Sequence, residues 1–209
     1  DLANMLAGPF AGVFLAAYGA NVVKADPPHC PSMLLDGKRS ILTDIKTKPG
    51  HEVFCRLVSW ADVVTHNILD DTAKRMGATH ADLREINRDV VSCQVSAFGG
   101  TRRGFWENRS GYDPIAQGVS GLMTQFGTLD VPLDHGGVAC GDVAGGLSLA
   151  FTALLGVYQQ RTTGYAGEGR TSLVRLANYY QLPYMIADEN GQSDWGEARG
   201  QFTLGNHWW

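Results

Sequence analysis

The stretch that decides the fold is SILTDIKTKPGHEVFCRLVSWADVVTHN, residues 40–67. Its first part, Ser40–Ile45, is rich in β-branched and aliphatic side chains and predicts a strand. Pro49–Ser59 predicts a helix, because its apolar residues fall on one face: Val53, Phe54, Leu57 and Val58. Ala61–Thr65 then predicts a short buried strand. A strand, a helix and a second strand in this order predict a βαβ unit with parallel strands.

The same alternation continues on both sides of this stretch. Further strands are predicted at Asn21–Ala25, Val90–Val95 and Leu173–Val174. Helices are predicted over the following segments: 9–19, Asp70–Met76, His80–Ile86, Tyr112–Phe126, Val143–Arg161 and Asn178–Ile186. We therefore expect an α/β fold, a Rossmann-like, mostly parallel sheet with flanking helices. Ligands of such sheets bind beyond the carboxyl ends of the strands, where Asn67 and Ser96 are expected.

Composition excludes several classes of function. With 44% hydrophobic and 18% charged residues, the 209-residue chain is typical of a globular protein with one substantial core. A net charge of −4 argues against a nucleic acid or an anionic membrane as partner. The apolar runs look too short or too interrupted by glycine to cross a bilayer. No Gly-x-Gly-x-x-Gly fingerprint is present, which disfavours a classical NAD-binding domain.

The four cysteines are spaced too widely for a zinc or redox motif. Cys30, Cys55, Cys93 and Cys140 include no Cys-x-x-Cys pair, and the six histidines show no metal-binding spacing. Reduced thiols in a cytoplasmic protein are therefore expected, with no metal site.

One carboxylate stands out because of its glycine-rich setting, Gly141-Asp142-Val143-Ala144-Gly145-Gly146, just before a long apolar helix. Asp142 has two interpretations. It caps the helix by accepting hydrogen bonds from backbone N–H groups, which is worth ~1 kcal/mol. Alternatively, the helix N-terminus keeps it ionised, and the small neighbours admit a substrate that it attacks as a nucleophile. Cys140 is a weaker candidate nucleophile, because no histidine is obviously paired with it.

Several short motifs together resemble the family III CoA-transferases, a family that includes formyl-CoA transferase, carnitine CoA-transferases and α-methylacyl-CoA racemase. The resemblance runs from about Gly8 to about Ala177, and its order carries more weight than any single motif. The motifs are Gly8-Pro9, Asp36-Gly37-Lys38-Arg39-Ser40, Asn67, Arg75-Met76-Gly77, Gly111-Tyr112-Asp113 and the segment around Asp142.

The resemblance implies an aspartyl mechanism. Asp142 would be the nucleophile that forms first a mixed anhydride and then an aspartyl-CoA thioester, while Tyr112 and Asp113 would shape the acyl pocket. The racemase branch has a histidine at the position of Tyr112, and a phenol is a poor base at neutral pH. Tyr112 therefore favours a transferase over a racemase.

Basic and polar residues are the candidates for binding CoA, whose phosphates suit Arg and Lys. The residue types suggest Lys38, Arg39 and Lys46, although solvated surface charge explains them equally well. The resemblance implies CoA contacts at Lys46, Asn67, Ile68, Arg75 and Met76. Ile68 replaces an aromatic residue that is usual in the family. Compared with formyl-CoA transferase, the connection from Asp26 to Ser40 is shorter, Pro27 replaces a basic residue and Leu6 replaces a glutamine.

The function expected is transfer of CoA from an acyl-CoA to a carboxylic acid, with no permanently bound cofactor and CoA thioesters as substrates. Residues 1–209 are expected to form one large domain of an interlocked homodimer. The ends suggest an incomplete chain, lacking an N-terminal strand and the C-terminal small domain of the family. Three alternatives stay open: a racemase or epimerase, a lyase or hydrolase on the same scaffold, and a non-catalytic half of a tandem or dimeric assembly.

Overall fold

A computed structural model of the chain describes residues 1–30, 32, 34–99, 106, 108–135, 139–182 and 189. Within these residues helices and strands alternate along most of the chain. In chain order they are α1 (Ala7–Ala17), β1 (Val23–Asp26), β2 (Arg39–Leu42), α2 (Lys48–Trp60), β3 (Val63–His66), α3 (Asp70–Arg75), α4 (His80–Ile86), β4 (Val91–Ser96), α5 (Asp113–Ser120), α6 (Leu122–Phe126), α7 (Cys140–Thr163), β5 (Glu168–Ser172) and α8 (Leu173–Tyr180).

The described strands form two parallel sheets. In the first, β1 pairs with β2, and in the second the order is β3-β4-β5. The N-terminal residues connect the two sheets: the Ala25 N–H donates to the Asp1 carbonyl at 3.0 Å, and the Leu2 N–H donates to the Thr65 carbonyl at 2.8 Å. The expected α/β fold with parallel strands and flanking helices is confirmed.

Strand β4 separates two apolar cores because successive side chains point to opposite faces of a sheet. On one face, Val91, Cys93 and Val95 pack with α1 and α7. On the other side of the sheet, a second cluster joins α2, β3 and α4: Phe54, Val58, Val64, Ala78, Leu83 and Val90. The predicted apolar face of α2 therefore lies in this second core.

Helix α7 packs closely against α1 because its first turns contain glycines. A Cβ atom on Gly146 would lie 2.8 Å from the carbonyl oxygen of Ala7, closer than real Cβ atoms come. Helix α7 also contacts β4 and β5, so its start lies beside the carboxyl end of the sheet. Close backbone approach thus fixes the position of Asp142.

One face of α7 is exposed within the chain and is apolar: Leu147, Phe151, Leu154, Leu155 and Tyr158. One expectation about α7 needs correction. No segment was expected to be able to cross a bilayer, but the 24 residues of α7 are long and apolar enough by length and composition. Leu149, Ala150 and Ala153 lie in the core, which is the packing of a core helix.

Two other segments differ from the sequence-based expectation. The helix predicted over Tyr112–Phe126 is divided at Gly121, which adopts a left-handed conformation with φ of 80°. The strand predicted at Leu173–Val174 is wrong: β5 ends at Ser172, whose side chain accepts a hydrogen bond from the Arg175 N–H and caps α8. Of the helix predicted at Asn178–Ile186, residues 183–186 lie outside the described residues.

Candidate active site

A cleft of about 640 Å³ opens at the carboxyl ends of β3 and β4, beside the start of α7. We call it the Asp142 cleft. Its lining comes from segments far apart in the chain and includes Cys30, Asn67, Ser96, Arg109, Tyr112 and Asp142. The sheet therefore brings Asn67 and Ser96 together at the edge where a ligand was expected.

Asp142 lies in the first turn of α7 but does not cap it. The cap position is Ala139, with no side-chain hydrogen bond, and no described residue donates a hydrogen bond to the Asp142 carboxyl group. Burial, and then the charge of Asp113, raise the pKa of this carboxyl from 3.8 to about 6. Desolvation therefore acts against the helix N-terminus, which was expected to keep Asp142 ionised, but a pKa of about 6 still leaves the carboxyl mostly ionised at neutral pH.

The carboxylate that accepts a hydrogen bond from a backbone N–H in the first turn of α7 is that of Asp113, not that of Asp142. Only 2% of Asp113 is exposed, and its Oδ2 accepts a hydrogen bond from the Asp142 N–H at 2.9 Å. A Cβ on Gly141 would lie 3.1 Å from the same oxygen, so a glycine there leaves room for the carboxylate. Asp113 lies behind α7 and is not among the residues that line the Asp142 cleft.

Tyr112 lies on the open side of the site. It precedes α5 at the cap position, is 58% exposed and lines the Asp142 cleft together with Asp142. The structure therefore separates the Tyr112-Asp113 pair, one residue facing the cleft and the next facing the protein interior.

The competing nucleophile, Cys140, has a less favourable environment. Burial, and then the charge of Asp113, raise the pKa of its thiol above the usual range. A raised thiol pKa leaves less of the reactive thiolate at neutral pH. Asp142 is ionised at neutral pH, so the electrostatics favour it over Cys140.

A second cleft of about 400 Å³, the Lys46 cleft, adjoins the first. It is lined by Lys46, Asn67, Ile68, Met76 and Thr72, among others. Asn67 lines both clefts. Four of the residues predicted to bind CoA are therefore brought to one cavity, which shares Asn67 with the Asp142 cleft.

Asn67 and Arg75 are held by local hydrogen bonds. The Asn67 side chain accepts from the Asn4 N–H at 2.9 Å and donates to the Asn4 carbonyl at 2.7 Å. The exposed Arg75 donates to the Thr72 hydroxyl at 2.8 Å. Because Thr72 lines the Lys46 cleft, Arg75 lies at its margin.

The structure places Lys38 and Arg39 elsewhere. The Lys38 ammonium group is buried, 3.0 Å from the Asp1 carboxylate and 2.6 Å from the carbonyl oxygen of Pro9. Burial lowers its pKa to about 8. The Arg39 guanidinium lies 5.7 Å from the centre of the Trp60 ring. Neither residue lines the two clefts, so the fold does not group them with Lys46.

A polar network supports the turn that carries Asn67 and Ile68. Gln94 on β4 donates to the Ile68 carbonyl at 2.6 Å and to the Asp70 carboxylate at 3.0 Å. Arg170 on β5 donates to both oxygens of Asp70, at 2.8 and 3.0 Å, and to Gln94 at 2.7 Å. The second sheet therefore anchors one wall of the Lys46 cleft.

Comparison with known proteins identifies the family of the chain. Residues 1–206 match the sequence model of CoA-transferase family III. The chain belongs to this family. The resemblance to this family, which the order of the short motifs indicated, is thereby confirmed.

Several family members with named activities are similar to the chain. The CoA-transferase/lyase DddD of Marinomonas sp. is 37% identical, over 99% of this chain and 26% of that protein. The succinate–glutarate CoA-transferase of Agrobacterium fabrum is 35% identical, over 70% of this chain and 42% of that protein. The chain thus spans between a quarter and a half of the length of these relatives.

Solved structures of the family share the fold. Rv3272 of M. tuberculosis matches with a TM-score of 0.81 at 25% identity, over 88% of this chain and 55% of that one. A CAIB/BAIF family protein from Brucella suis matches with a TM-score of 0.80 at 28% identity, over 88% and 54% of the two chains.

The sequence analysis missed four residues that the fold of this family member brings to the site. Arg109 lines the Asp142 cleft, and its guanidinium lies 5.4 Å from the centre of the Trp106 ring. Gln94 and Arg170 support the turn after β3, and Gln117 supports Asp113. A polar residue inside an apolar strand, as at Gln94, was the only available signal. Within the described residues, no cluster of three or more His, Cys, Asp or Glu suits a metal ion.

Proposed function

We propose that the protein transfers CoA from an acyl-CoA to a carboxylic acid, with Asp142 as the covalent nucleophile. The observation that carries the proposal is the Asp142 carboxyl, which no described residue hydrogen-bonds and which lines a cleft that shares Asn67 with the Lys46 cleft. A carboxylate without hydrogen-bond donors is more reactive than one held by several donors.

The two clefts match the two parts of an acyl-CoA. Lys46 is exposed at the rim of its cleft, where a phosphate can reach it without desolvating the ammonium group. The pantetheine arm would then pass Asn67, which both clefts share, and bring the thioester to Asp142. Tyr112, which also lines the Asp142 cleft, would contact the acyl group. Arg75 at the margin is a second candidate for a phosphate.

The proposed chemistry balances without a redox or metal cofactor. An Asp142 carboxylate oxygen attacks the thioester carbonyl, the C–S bond breaks, and CoA leaves as thiolate from a mixed anhydride. The thiolate attacks the Asp142 carbonyl carbon, which releases the donor acid and gives an aspartyl-CoA thioester. The acceptor carboxylate attacks this thioester and forms a second anhydride. CoA thiolate then attacks the acceptor carbonyl and frees Asp142.

The raised pKa of Asp142 is compatible with this role. At about 6 it leaves the carboxyl mostly ionised at neutral pH, yet more basic than an ordinary aspartate. Nucleophilicity rises with basicity, so partial burial gives a stronger carboxylate nucleophile that is still charged in the cell.

A second candidate is CoA transfer followed by cleavage of the acyl group. The relative from Marinomonas, named a CoA-transferase/lyase, favours it. A racemase is less well supported, since Tyr112 lines the cleft with Asp142 at the position where the racemase branch of the family has a histidine. Release of an acyl fragment, in addition to CoA exchange, would distinguish the lyase from the plain transferase.

We further propose that two copies of the protein assemble as an interlocked homodimer. The exposed apolar residues of α7 form a continuous face at helical spacing: Leu147, Phe151, Leu154, Leu155 and Tyr158. Such a face is typical of a protein interface. Light scattering should give the mass of a dimer, and Phe151→Asp should shift it to a monomer.

The cytoplasm is the proposed location. All four cysteines are free thiols, and Cys93 is fully buried. Free thiols persist in reducing compartments. Fluorescent tagging of the native protein would test this.

Intact-protein mass spectrometry tests the nucleophile. The native full-length protein would be incubated with a panel of acyl-CoAs, quenched, and measured without and with hydroxylamine, which displaces CoA or the acid from the activated aspartyl group, beside Asp142→Asn and Cys140→Ala. We expect an acyl- or CoA-sized adduct on the Asp142 peptide of the wild type and of Cys140→Ala. Asp142→Asn should show none and should lose CoA transfer by at least ~10³-fold.

The outcomes separate the hypotheses. An adduct that persists in Asp142→Asn and disappears in Cys140→Ala would assign the nucleophile to the thiol. Absence of any adduct in a folded wild-type protein, together with exchange of the substrate α-proton in deuterated water, would support the racemase. A folded assembly whose activity is unaffected by Asp142→Asn would support a non-catalytic half.

A further inference from the structure

Two carboxyl groups meet at the start of α7. Asp113 is buried at the start of α5, and its Oδ2 accepts the Asp142 N–H at 2.9 Å. Its Oδ1 accepts from the Gln117 side-chain amide. Both oxygens of Asp113 therefore have a donor, and among the described residues no cation pairs with it.

Gln117 connects Asp113 to the segment that leads into α7. Only 1% of Gln117 is exposed, and its Oε1 accepts a hydrogen bond from the His135 N–H at 3.0 Å. The amide group thus holds the carboxylate on one side and the backbone of residue 135 on the other. This arrangement fixes the orientation of Asp113 and limits its freedom to move away from Asp142.

We propose that Asp113 is a positioning residue for the Asp142 nucleophile, which it holds through the backbone and activates through its negative charge. This inference rests on the proposed aspartyl mechanism. Asp113 touches neither cleft, so it acts on the reaction through Asp142 and not on the substrate. The role differs from the shaping of an acyl pocket that the family resemblance implied.

The physical argument concerns the change of charge during acylation. In the free enzyme the Asp142 carboxylate lies near the buried carboxylate of Asp113, whose Oδ2 accepts the Asp142 N–H, in a partly desolvated site. When an Asp142 oxygen bonds to the acyl carbon and the C–S bond breaks, the negative charge of Asp142 leaves with the CoA thiolate. The repulsion from Asp113 is then lost, so the charge destabilises the starting carboxylate relative to the neutral anhydride.

The electrostatic environment agrees with this direction. Burial, and then Asp113, raise the pKa of Asp142 to about 6. Other titratable or charged groups that line the cleft or neighbour the two carboxyls are Tyr112 before α5, Cys140 in α7, Tyr180 in α8, and Cys30 and Arg109 in loops. Among the described residues, Asp113 is the carboxyl whose charge acts on Asp142.

The test is the pH dependence of adduct formation on Asp142, measured by rapid quenching and mass spectrometry in the native protein. In the wild type the rate should rise with pH through a midpoint near 6. Asp113→Asn keeps the shape but removes the charge. We expect its midpoint to fall by about one pH unit and its plateau rate to fall about tenfold.

Matched variants separate charge from structure. Asp134→Asn removes an exposed carboxylate in the segment before α7, outside the Asp142 cleft, and should leave the midpoint unchanged. Asp113→Glu keeps the charge, so it should retain the wild-type midpoint even where the longer side chain slows the reaction. If Asp113→Asn does not fold, Gly141→Ala displaces the Asp113 carboxylate by crowding and should lower the midpoint in the same direction.

The outcomes distinguish this inference from the mechanism on which it rests. A wild-type protein with no adduct on Asp142 would overturn the aspartyl mechanism itself. An adduct that forms in the wild type, with the same midpoint in folded Asp113→Asn, would leave the mechanism standing and overturn the role of Asp113. An equal shift in Asp134→Asn would also overturn it, since any nearby charge would then suffice.

Discussion

The turn after β3 and the start of α7 form opposite sides of the same site and are held in different ways. In the turn, Asp70 receives hydrogen bonds from Arg170 and Gln94, and Gln94 also holds the backbone of Ile68. At the start of α7, the Asp142 carboxyl has no hydrogen-bond donor among the described residues and lies near a second carboxylate, that of Asp113.

This difference separates binding from reactivity. In the wall of a binding cleft, polar groups that all have hydrogen-bond partners fix the backbone, and no reactive group is lost because none is needed there. A nucleophile loses reactivity when donors surround it, so its position must be fixed by other means. Here these are the N–H bond to Asp113 and the close packing of glycines on α1.

Breaking the hydrogen-bond network of the turn after β3 should have the largest effect on the stability of the protein. Arg170→Met leaves Asp70 and Gln94 without their strongest donor, which should lower the free energy of unfolding by about 2–3 kcal/mol. Binding of CoA should weaken as the turn loosens. Urea unfolding and CoA titration measure both effects.

Arg161→Met is the control for that prediction. Arg161 and Asp62 are 3.9 Å apart and both exposed, so losing this pair should cost less than about 0.5 kcal/mol. Equal losses in the two variants would contradict the assignment of a supporting role to Arg170.

Adding one methyl group at the start of α7 should disturb this region through packing alone. In Gly146→Ala the new Cβ would lie 2.8 Å from the Ala7 carbonyl oxygen, so α1 and α7 must separate. Overpacking outweighs the better helix propensity of alanine, and we expect a net loss of about 1–2 kcal/mol. Thermal unfolding and the rate of adduct formation at Asp142 would report it.

Gly118→Ala provides the matched change in α5. Its Cβ would meet only Met123 Sδ, at 3.8 Å, an ordinary contact. Helix propensity should then dominate and stabilise the protein by about 0.5 kcal/mol. A loss of stability in Gly146→Ala together with a gain in Gly118→Ala would establish that close packing causes the loss.

Removing the charge of Asp142 should make the protein more stable while abolishing its chemistry. The folded pKa of about 6 lies above the ordinary 3.8, so ionisation costs stability as pH rises from about 4 to 6. After allowance for solvent screening, Asp142→Asn should gain about 1 kcal/mol at pH 7. Below pH 4 the two proteins should have equal stability.

The pH dependence of this gain in stability tests its cause. The gain should appear in urea unfolding curves at pH 7 and disappear at pH 4. A gain that does not change with pH would indicate better packing by asparagine and not relief of a buried charge.

The smallest effect is expected at the rim of the binding region. Lys46 is exposed at the Lys46 cleft, so Lys46→Ala should raise the KM for acyl-CoA about three- to tenfold and leave kcat unchanged. The effect should shrink at high salt. Lys48→Ala removes a nearby exposed charge that does not line this cleft, and its KM should stay at the wild-type value.

Periodicity predicted the elements that carry the site. Apolar spacing gave α2, β3 and β4 to within two or three residues, and Asn67 was expected at the carboxyl end of β3. It failed at β5, because the strand EGRTS is polar and owes its pairing to β4. The pair Leu173–Val174 resembles a strand but starts an amphipathic helix that Ser172 caps.

The sequence by itself determined the α/β class, the family and the identity of the candidate nucleophile, because these depend on periodicity and on ordered short motifs. Only the tertiary structure decided which charges share a cavity. It buried Lys38 against Asp1, grouped Lys46 with Asn67, and placed Asp113 behind Asp142. The reason is physical: desolvation and charge–charge interaction depend on distance in space, which spacing along the chain does not specify.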